Sequence, residues 1–352
     1  MYFLYNLIVL CASAVLRLLA MFSPKLSLFV AGRQGVENLL NQKISKTDRV
    51  IWVHAASLGE YEQGLPVMED ISQKYPTYKI VLTFFSPSGY EVKKHTTSAD
   101  IVCYLPLDTK KNADLFLKWV HPEVAIFIKY EIWPNYLRAL HQRNIPTLLV
   151  SALFNNRQVF FKWYGGLMRK SLAYFSHIFV QNLNSQTLLA SIGITEVTIA
   201  GDTRFDRVLN ISNKDNSLDF MKHFARDKFC VVAGSTWAED EIMLTDYINN
   251  TEHPIQFVIA PHTIKPNHIE ALKASITKPV LCYSELGNAH AIHPVVLIVD
   301  TIGLLTKVYS YADVAYVGGG FATGLHNTLE PAVFGIPVII GPDYEGFAEA
   351  ES

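Results

Sequence analysis

Short apolar runs alternate along the chain with amphipathic stretches, at a spacing of roughly 20 to 30 residues. This alternation is typical of βαβ units, in which helices join the strands of a parallel sheet. The pattern predicts seven strands in the first half of the chain, at 49–54, 79–84, 101–105, 124–128, 147–150, 177–180 and 197–200. It predicts six more in the second half, at 229–233, 256–259, 280–283, 295–299, 314–317 and 338–340.

A polar, charged segment at 206–228 separates the two series of strands. The length of 352 residues also indicates about two domains. We therefore expect two doubly wound α/β domains, at 23–205 and 229–352, with a linker at 206–228 and a cleft between them. Because ligands of such sheets bind at the carboxyl ends of the strands, we expect the functional residues there.

An apolar run from Tyr2 to Phe22 precedes the first domain and is interrupted only by Asn6, Ser13 and Arg17. As a helix it spans about 30 Å, which matches the core of a bilayer. Positive charges stand within or after the run, which argues against a secretory signal and keeps the rest of the chain on the cytoplasmic side. We expect residues 1–22 to be a membrane anchor that either spans the bilayer or lies in its interface.

Composition excludes several classes of function. A net charge of −2 is not that of a nucleic-acid binder, so we expect no nucleic-acid partner. The four cysteines are far apart and form no CxxC pair, which argues against a zinc site and a disulfide framework. The sequence has no DxD triplet, and no GxGxxG follows the first strand of either domain. We therefore expect neither a metal nor a cofactor.

The most distinctive segment, 317–341, places three glycines after a predicted strand, followed by His326, Asn327 and Glu330. Glycines allow backbone N–H groups to approach an anion, and a helix N-terminus adds about half a unit of positive charge. We expect a phosphate at the glycines and a ribose diol at Glu330. The alternative is that the glycines only make a tight strand-to-helix turn.

Charged residues follow three strands of the first domain. Glu60 is a candidate general base for an acceptor hydroxyl, although it also suits the dipole of the helix that it begins. Glu131 is expected in the same pocket, with a helix cap as its alternative role. Arg204 is expected to stabilise charge on a leaving phosphate; the alternative is a surface ion pair with Asp202 or Asp206.

One turn of the second domain also suits an anionic group, because Ser235 and Thr236 follow its first strand and precede a helix. Pro261 and His262 follow the next strand. The segment 155–170 interleaves four cations with aromatic residues, which suits either anionic lipid headgroups or an ordinary helix with a basic face.

Five motifs together resemble the bacterial 3-deoxy-D-manno-octulosonic acid (Kdo) transferases of lipopolysaccharide synthesis. They are HAASLGE at 54–60, KYEIWPN at 129–135, GDTRFDRV at 201–208, GSTWAEDE at 234–241 and VGGGFATGLHNTLEPAVFGIPVIIGP at 317–342. The resemblance implies a GT-B glycosyltransferase with two Rossmann-like domains, which acts without a metal. It also implies that the first domain binds the acceptor and the second binds CMP-Kdo.

The resemblance assigns roles by position. Glu60 matches the catalytic base, and Glu131 and Arg204 match positions that stabilise the transition state. Pro261, His262, the segment 302–304 and the segment 327–330 fall where the family contacts CMP. The turns of the sequence and the resemblance together give the expected substrate-binding residues, which are Ser57, Gly59, Ser235, Thr236, Pro261, His262, Ile302, Gly303, Leu304, Gly319, Gly320, His326, Asn327, Thr328, Leu329 and Glu330. His262 stands where the family often has arginine, so we expect the charge of the CMP phosphate to be neutralised in a different way from that of the family. The chain ends at Ser352, before a further strand and helix that the resemblance implies, so we expect an incomplete second domain.

The expected function is inverting transfer of Kdo from CMP-Kdo to a glucosamine hydroxyl of the lipid A precursor, at the cytoplasmic face of the inner membrane. One alternative is a sugar-nucleotide epimerase of the same fold, which would lack the membrane anchor. The other is a membrane-tethered nucleotide-binding protein without turnover.

Overall fold

The computed structural model describes residues 1–212, 214–226, 228–288, 294–321, 324–345 and 347–351. The chain divides into two compact units, Met1–Arg207 and Val208–Ser352, each of which contains one parallel sheet.

Three helices open the first unit: α1 (Tyr2–Leu19), α2 (Pro24–Ala31) and α3 (Val36–Lys43). Proline begins α2, where its missing N–H costs no hydrogen bond. The described side chains of α1 and α2 are all at least partly exposed, although both helices are rich in apolar residues.

The first sheet has seven parallel strands in the order β3-β2-β1-β4-β5-β6-β7. They are β1 (Arg49–His54), β2 (Tyr78–Phe84), β3 (Ile101–Tyr104), β4 (Val124–Ile128), β5 (Thr147–Ala152), β6 (His177–Val180) and β7 (Val197–Ile199). The helices that follow are α4 (Leu58–Lys74), α5 (Pro87–Lys93), α6 (Lys110–Val120), α7 (Pro134–Gln142), α8 (Gly166–Leu172), α9 (Leu183–Ser191) and α10 (Thr203–Ser212), with a 3-10 turn at Val159–Phe161.

Helices cover both faces of this sheet, which explains why β1 reads as one continuous apolar run. Val50 and Trp52 pack into the core on one face, and Ile51 and Val53 pack into the core on the other. The alternation follows from the two-residue period of a strand.

The second sheet has six parallel strands in the order β10-β11-β9-β8-β12-β13. They are β8 (Phe229–Thr236), β9 (Ile255–Pro261), β10 (Val280–Cys282), β11 (Val296–Ile298), β12 (Val314–Val317) and β13 (Val338–Ile340). The helices of this unit are α11 (Asp219–Phe224), α12 (Ala238–Asn250), α13 (Pro266–Ser275), α14 (Leu305–Val308), α15 (Leu329–Ala332) and α16 (Ala348–Glu351), with 3-10 turns at Tyr283–Asn288 and Tyr309–Tyr311.

The prediction of two doubly wound parallel sheets is confirmed. Each of the thirteen predicted strands is present, with its ends shifted by at most three residues. The segment 206–228, read from the sequence as a linker, contains the end of α10 and all of α11. Val208 and Met221 are the buried residues of these two short helices.

Candidate functional site

Glu60 lies in the first turn of α4, immediately after the carboxyl end of β1. The hydroxyl of Ser57, the residue before the helix, donates a hydrogen bond to Oε2 of Glu60. The whole residue is only 9% exposed. Its carboxylate is therefore oriented by a neighbour and largely shielded from water, at the positive end of a helix.

Glu131 lies in the loop between β4 and α7. Its Oε2 accepts a hydrogen bond from Nε1 of Trp133 at 2.9 Å, and Nε2 of His54 lies 3.5 Å from the same oxygen. Trp133, rather than Glu131, occupies the position before the first residue of α7. The carboxylate is thus held by two aromatic side chains at the carboxyl edge of the sheet.

Three residues other than glycine adopt left-handed backbone conformations at the carboxyl ends of strands. Lys129 follows β4 with φ 67°, Ser151 lies in β5 with φ 57°, and Ser235 lies in β8 with φ 55°. Such conformations cost free energy for residues with a Cβ and cluster at binding and catalytic sites. They fall at the strand ends where the sequence predicted function.

Arg204 lies in the first turn of α10 and forms the ion pair with Asp202 that the sequence offered as an alternative. Its Nε and one terminal nitrogen both lie 2.8 Å from Oδ2 of Asp202. The other oxygen of Asp202 accepts from Nε2 of Gln63 at 3.2 Å. Since Gln63 is one turn beyond Glu60 on α4, the guanidinium is tied to the helix that carries the candidate base.

Close packing explains the glycines after β12. A Cβ on Gly318 would lie 2.5 Å from the carbonyl oxygen of Ser235, and one on Gly320 would lie 2.8 Å from the Cα of Gly341. Gly319 has φ 96°, which favours glycine. The tight-turn alternative therefore accounts for these residues. Ala322 and Thr323 of the same motif lie outside the described residues.

Asp240 of α12 engages this turn. Its carboxylate accepts from the N–H of Gly319 at 2.9 Å, from the N–H of Trp237 at 2.8 Å and from the hydroxyl of Tyr316 at 2.5 Å. One N–H that the sequence assigned to a phosphate is thus bonded to a buried carboxylate. The adjoining helix α15 is a single turn of four residues.

Trp237, His262 and His326 form an aromatic cluster at the ends of β8, β9 and β12. The ring of His262 stacks on those of Trp237 and His326, with centroids 4.5 and 4.6 Å away. Nε1 of Trp237 donates to Nε2 of His326 at 2.9 Å, so Nδ1 carries the proton of the neutral ring. Burial, and to a lesser degree His262, lowers the pKa of His326. His326 is therefore a neutral hydrogen-bond donor at pH 7.

Glu330 is held by two partners from the same unit. Its Oε2 accepts from the hydroxyl of Thr306 at 3.1 Å, and its Oε1 accepts from Nδ2 of Asn327 at 3.3 Å. Oδ1 of Asn327 in turn accepts from the N–H of Leu329 at 3.1 Å, and Thr328 and Leu329 are buried. This network fixes the carboxylate that the sequence assigned to a ribose.

The remaining predicted positions of the second unit lie at or after the ends of β8, β9 and β11. Pro261 is the last residue of β9. The loop 302–304 lies between β11 and α14; Ile302 is 85% exposed, and Gly303 has φ 93°. Thr236 donates to Glu241 of α12 at 3.0 Å.

Sequence reasoning missed Trp237, Thr306, His54 and Trp133 as parts of these clusters. Trp237, His54 and Trp133 stand inside the motifs at 234–241, 54–60 and 129–135, and this position was the only indication of a role that the sequence offered. Thr306 stands outside every motif, so its contact with Glu330 could not be read from the sequence. Among the described residues, no group of three or more His, Cys, Asp or Glu is placed to hold a metal ion.

The lowered pKa of His326 predicts a pH dependence of stability. The imidazole of His326 binds a proton more readily in the unfolded chain than in the folded protein. The neutral ring therefore makes its full contribution to the free energy of unfolding above the ordinary pKa of 6.5. It is lost as the pH falls through the lowered pKa of the folded protein. We expect the free energy of unfolding, measured with urea, to decline more between pH 7.5 and 5.5 in the parent than in His326→Gln. Equal declines would contradict this assignment.

Solved structures share the fold. UDP-GlcNAc 2-epimerase from Neisseria meningitidis, bound to UDP-GlcNAc, aligns with a TM-score of 0.58 over 86% of this chain and 85% of its own, at 17% identity. UDP-GlcNAc 2-epimerase from Methanocaldococcus jannaschii aligns with a TM-score of 0.56 over 87% of both chains, at 13% identity. At these identities the likeness shows the fold alone, and it confirms the predicted GT-B class.

Sequence relatives are more specific. 3-Deoxy-D-manno-octulosonic acid transferase from Haemophilus influenzae is 28% identical over an alignment of 373 positions, which covers 99% of this chain and 83% of the relative. The enzyme of the same name from Rickettsia felis is 29% identical over 323 residues, covering 88% of this chain and 67% of the relative. The family model described as 3-deoxy-D-manno-octulosonic-acid transferase (kdotransferase) matches residues 15–207, more than half of the 352 residues. The chain therefore belongs to the 3-deoxy-D-manno-octulosonic-acid transferase family of glycosyltransferases.

Proposed function

We propose that this glycosyltransferase moves Kdo from CMP-Kdo to a glucosamine hydroxyl of the lipid A precursor, with inversion at the anomeric carbon. The observation that carries the proposal is the shielded carboxylate of Glu60, oriented by Ser57 at the carboxyl edge of the sheet, within the segment that matches the family. A carboxylate in such a place accepts a proton from an attacking hydroxyl.

In this proposal the first unit binds the acceptor, and Glu60 takes the hydroxyl proton as the oxygen attacks. Arg204, aligned by Asp202, stabilises the negative charge that develops on the departing CMP. Glu131 stabilises the sugar in the transition state. The second unit binds the nucleotide, with Glu330 at the ribose and the His262 and His326 rings near the phosphate.

The same fold in UDP-GlcNAc 2-epimerases makes an epimerase the rival activity. Purified protein is incubated with CMP-Kdo and lipid A precursor, and in parallel with UDP-GlcNAc. The proposal requires Kdo-modified lipid in the first reaction. Thermal-shift measurements with CMP, UDP and NAD separate the alternatives further, because only CMP is expected to raise the melting temperature. Epimerised UDP-GlcNAc without Kdo transfer would overturn the proposal.

We further propose that the protein binds the cytoplasmic face of the inner membrane through α1, lying in the plane of the interface. By length and composition alone, α1 could cross a bilayer. The start of α1, however, is hydrogen-bonded to the loop before α6 and to the first residue of that helix. The hydroxyl of Tyr5 donates to Asp108 at 2.8 Å, and Asn6 accepts from the N–H of Lys110 at 3.1 Å.

The end of α1 faces the same unit. Leu16 and Arg17 line a cavity of about 570 Å³ together with Asn112 and Trp119 of α6. A spanning helix of this length would separate its two ends by about 27 Å across the bilayer. The bonds at its start, and the cavity that its end lines together with α6, favour an in-plane helix instead.

The lipid-facing side of α1 is apolar and exposed. Phe3 is 84% exposed, and the side chains that accompany it include Leu4, Leu7, Ile8, Leu10, Val15 and Leu18. Trp163 and Tyr164 are exposed by 91% and 62%, and Gly166 of the same segment lies beside Met1. Their neighbours in the segment 155–170 include cations suited to anionic headgroups.

Replacing Phe3 by serine is expected to lower partitioning into anionic lipid vesicles roughly tenfold, because an apolar side chain no longer enters the lipid. Co-sedimentation with vesicles measures the effect. Tyr75→Ser is the matched control, since Tyr75 is an exposed aromatic residue after α4 and should leave partitioning unchanged. Equal losses in both variants would contradict the proposed surface. An epitope tag at the N-terminus that an added protease removes only from the periplasmic side would contradict the in-plane orientation, because it would show that the helix crosses the bilayer.

A further inference from the structure

His54 is a fully buried titratable residue to which the proposed reaction gives no role. It is the last residue of β1, and its relative exposure is 0%. The rings of Phe127 and Trp133 pack edge-on against it, with centroids 5.7 and 6.0 Å away. A polar ring in such a place requires partners for both nitrogens.

One side of the ring is fixed by Thr83 of β2. Nδ1 of His54 lies 3.1 Å from the carbonyl oxygen and 2.8 Å from the hydroxyl oxygen of Thr83. The hydroxyl oxygen also accepts from Nε1 of Trp52 at 2.8 Å. Because a carbonyl oxygen only accepts and the indole N–H of Trp133 only donates, we assign the imidazole proton to Nδ1, which leaves Nε2 as an acceptor.

The other side of the ring faces the loop that carries Glu131. Nε1 of Trp133 lies 3.1 Å from Nε2 of His54 and 2.9 Å from Oε2 of Glu131. The single indole hydrogen is therefore shared between the imidazole and the carboxylate. A chain of contacts connects the core of the sheet, through Thr83 and His54, to this loop.

We propose that His54 and Trp133 are positioning residues that hold the carboxylate of Glu131 toward the reacting sugar. The inference rests on the proposed function, because it assigns these residues to the transferase reaction. Nε2 of His54 fixes the plane of the indole, and the indole N–H fixes the carboxylate. Both act through Glu131 without touching the substrate, so their loss affects the chemical step more than binding.

Two substitutions of His54 distinguish this role from a purely structural one. Glutamine places an acceptor near the position of Nε2, whereas asparagine retains only a group near Nδ1 that can bond to Thr83. We expect His54→Gln to keep at least tenfold more kcat than His54→Asn, with similar KM values for both substrates. A structural role through Thr83 would favour asparagine, and that order of activities would overturn the proposal.

Trp133→Phe keeps an aromatic ring and removes only the indole N–H. We expect kcat to fall roughly 10- to 100-fold, with KM values within about threefold of those of the parent, as for a loss of transition-state positioning. Thermal unfolding shows whether the variant is folded. Unchanged kcat in a folded variant, or a loss confined to KM, would overturn the proposal.

A measurement on the unaltered protein separates this inference from the proposed function. Nuclear magnetic resonance of ¹⁵N-labelled protein reports the tautomer of His54 and the scalar coupling between Nε1 of Trp133 and Nε2 of His54 across their hydrogen bond. We expect the Nδ1–H tautomer and a detectable coupling. Their absence overturns the inference even if Kdo transfer is observed. Their presence in a protein that transfers no Kdo overturns the proposed function and leaves only a structural bond.

Discussion

Glu60→Gln is expected to lower the rate of Kdo transfer by at least the ~10²-fold typical of general-base loss, with little change in the affinity for CMP. Glutamine has nearly the shape of glutamate but cannot take the hydroxyl proton. Ser57 still has an oxygen to which it can donate, so the first turn of α4 should remain intact. Single-turnover transfer measures the rate, and calorimetric titration with CMP measures binding.

Glu69→Gln is the matched control, because Glu69 is an exposed carboxylate on the same helix. It loses the same charge far from the carboxyl end of β1, and its turnover should equal that of the parent. Near-normal turnover in Glu60→Gln would remove Glu60 from the mechanism. Equal losses in both variants would indicate a general effect of charge on α4.

Glu330→Ala is expected to weaken CMP binding by roughly 10- to 150-fold. Charge-assisted hydrogen bonds from a ribose diol to the carboxylate are worth ~1.5 to 3 kcal/mol, which corresponds to this range. Titration calorimetry with CMP gives the two affinities. Glu345→Ala removes an exposed carboxylate of the same unit and should leave the affinity unchanged.

Weaker CMP binding by Glu330→Ala would also have a second explanation. The substitution removes the hydrogen bonds of Glu330 to Thr306 and Asn327, which hold the loop together. A 2′,3′-dideoxy analogue of CMP distinguishes the two. Without its ribose hydroxyls the analogue should bind the parent and the alanine variant with similar affinity. A full penalty for Glu330→Ala with this analogue would show that the residue only holds the loop together. Thr306→Val tests the loop contact directly.

The strands were predictable because their apolar runs are a local property of the sequence. β1, β4, β6, β12 and β13 have the predicted bounds, since each run is closed by a polar residue, glycine or proline. The short helices α10 and α11 were harder to predict from the sequence than the strands. The segment 206–228 is rich in charged residues and has no long apolar run, and a single buried side chain such as Val208 or Met221 gives no periodic signal.

The partners within the site could not be predicted, because they come from distant parts of the chain. Gly319 and Asp240 are 79 residues apart, and so are His54 and Trp133. The sequence indicated that glycines at 318–320 allow close approach to an anion. Which anion approaches depends on the packing of α12 against β12, which is a tertiary property.

The hydrogen bonds of α1 also determine when this helix can pack against the rest of the first unit during synthesis. Tyr5 and Asn6 are bonded to residues that follow them by 103 to 129 positions. At about 5 to 20 residues per second, a ribosome synthesises those partners roughly 5 to 26 s after α1. During this interval the apolar helix lacks these bonding partners in the first unit. We therefore expect the nascent chain to meet the bilayer first, so that the first unit completes its folding at the membrane surface.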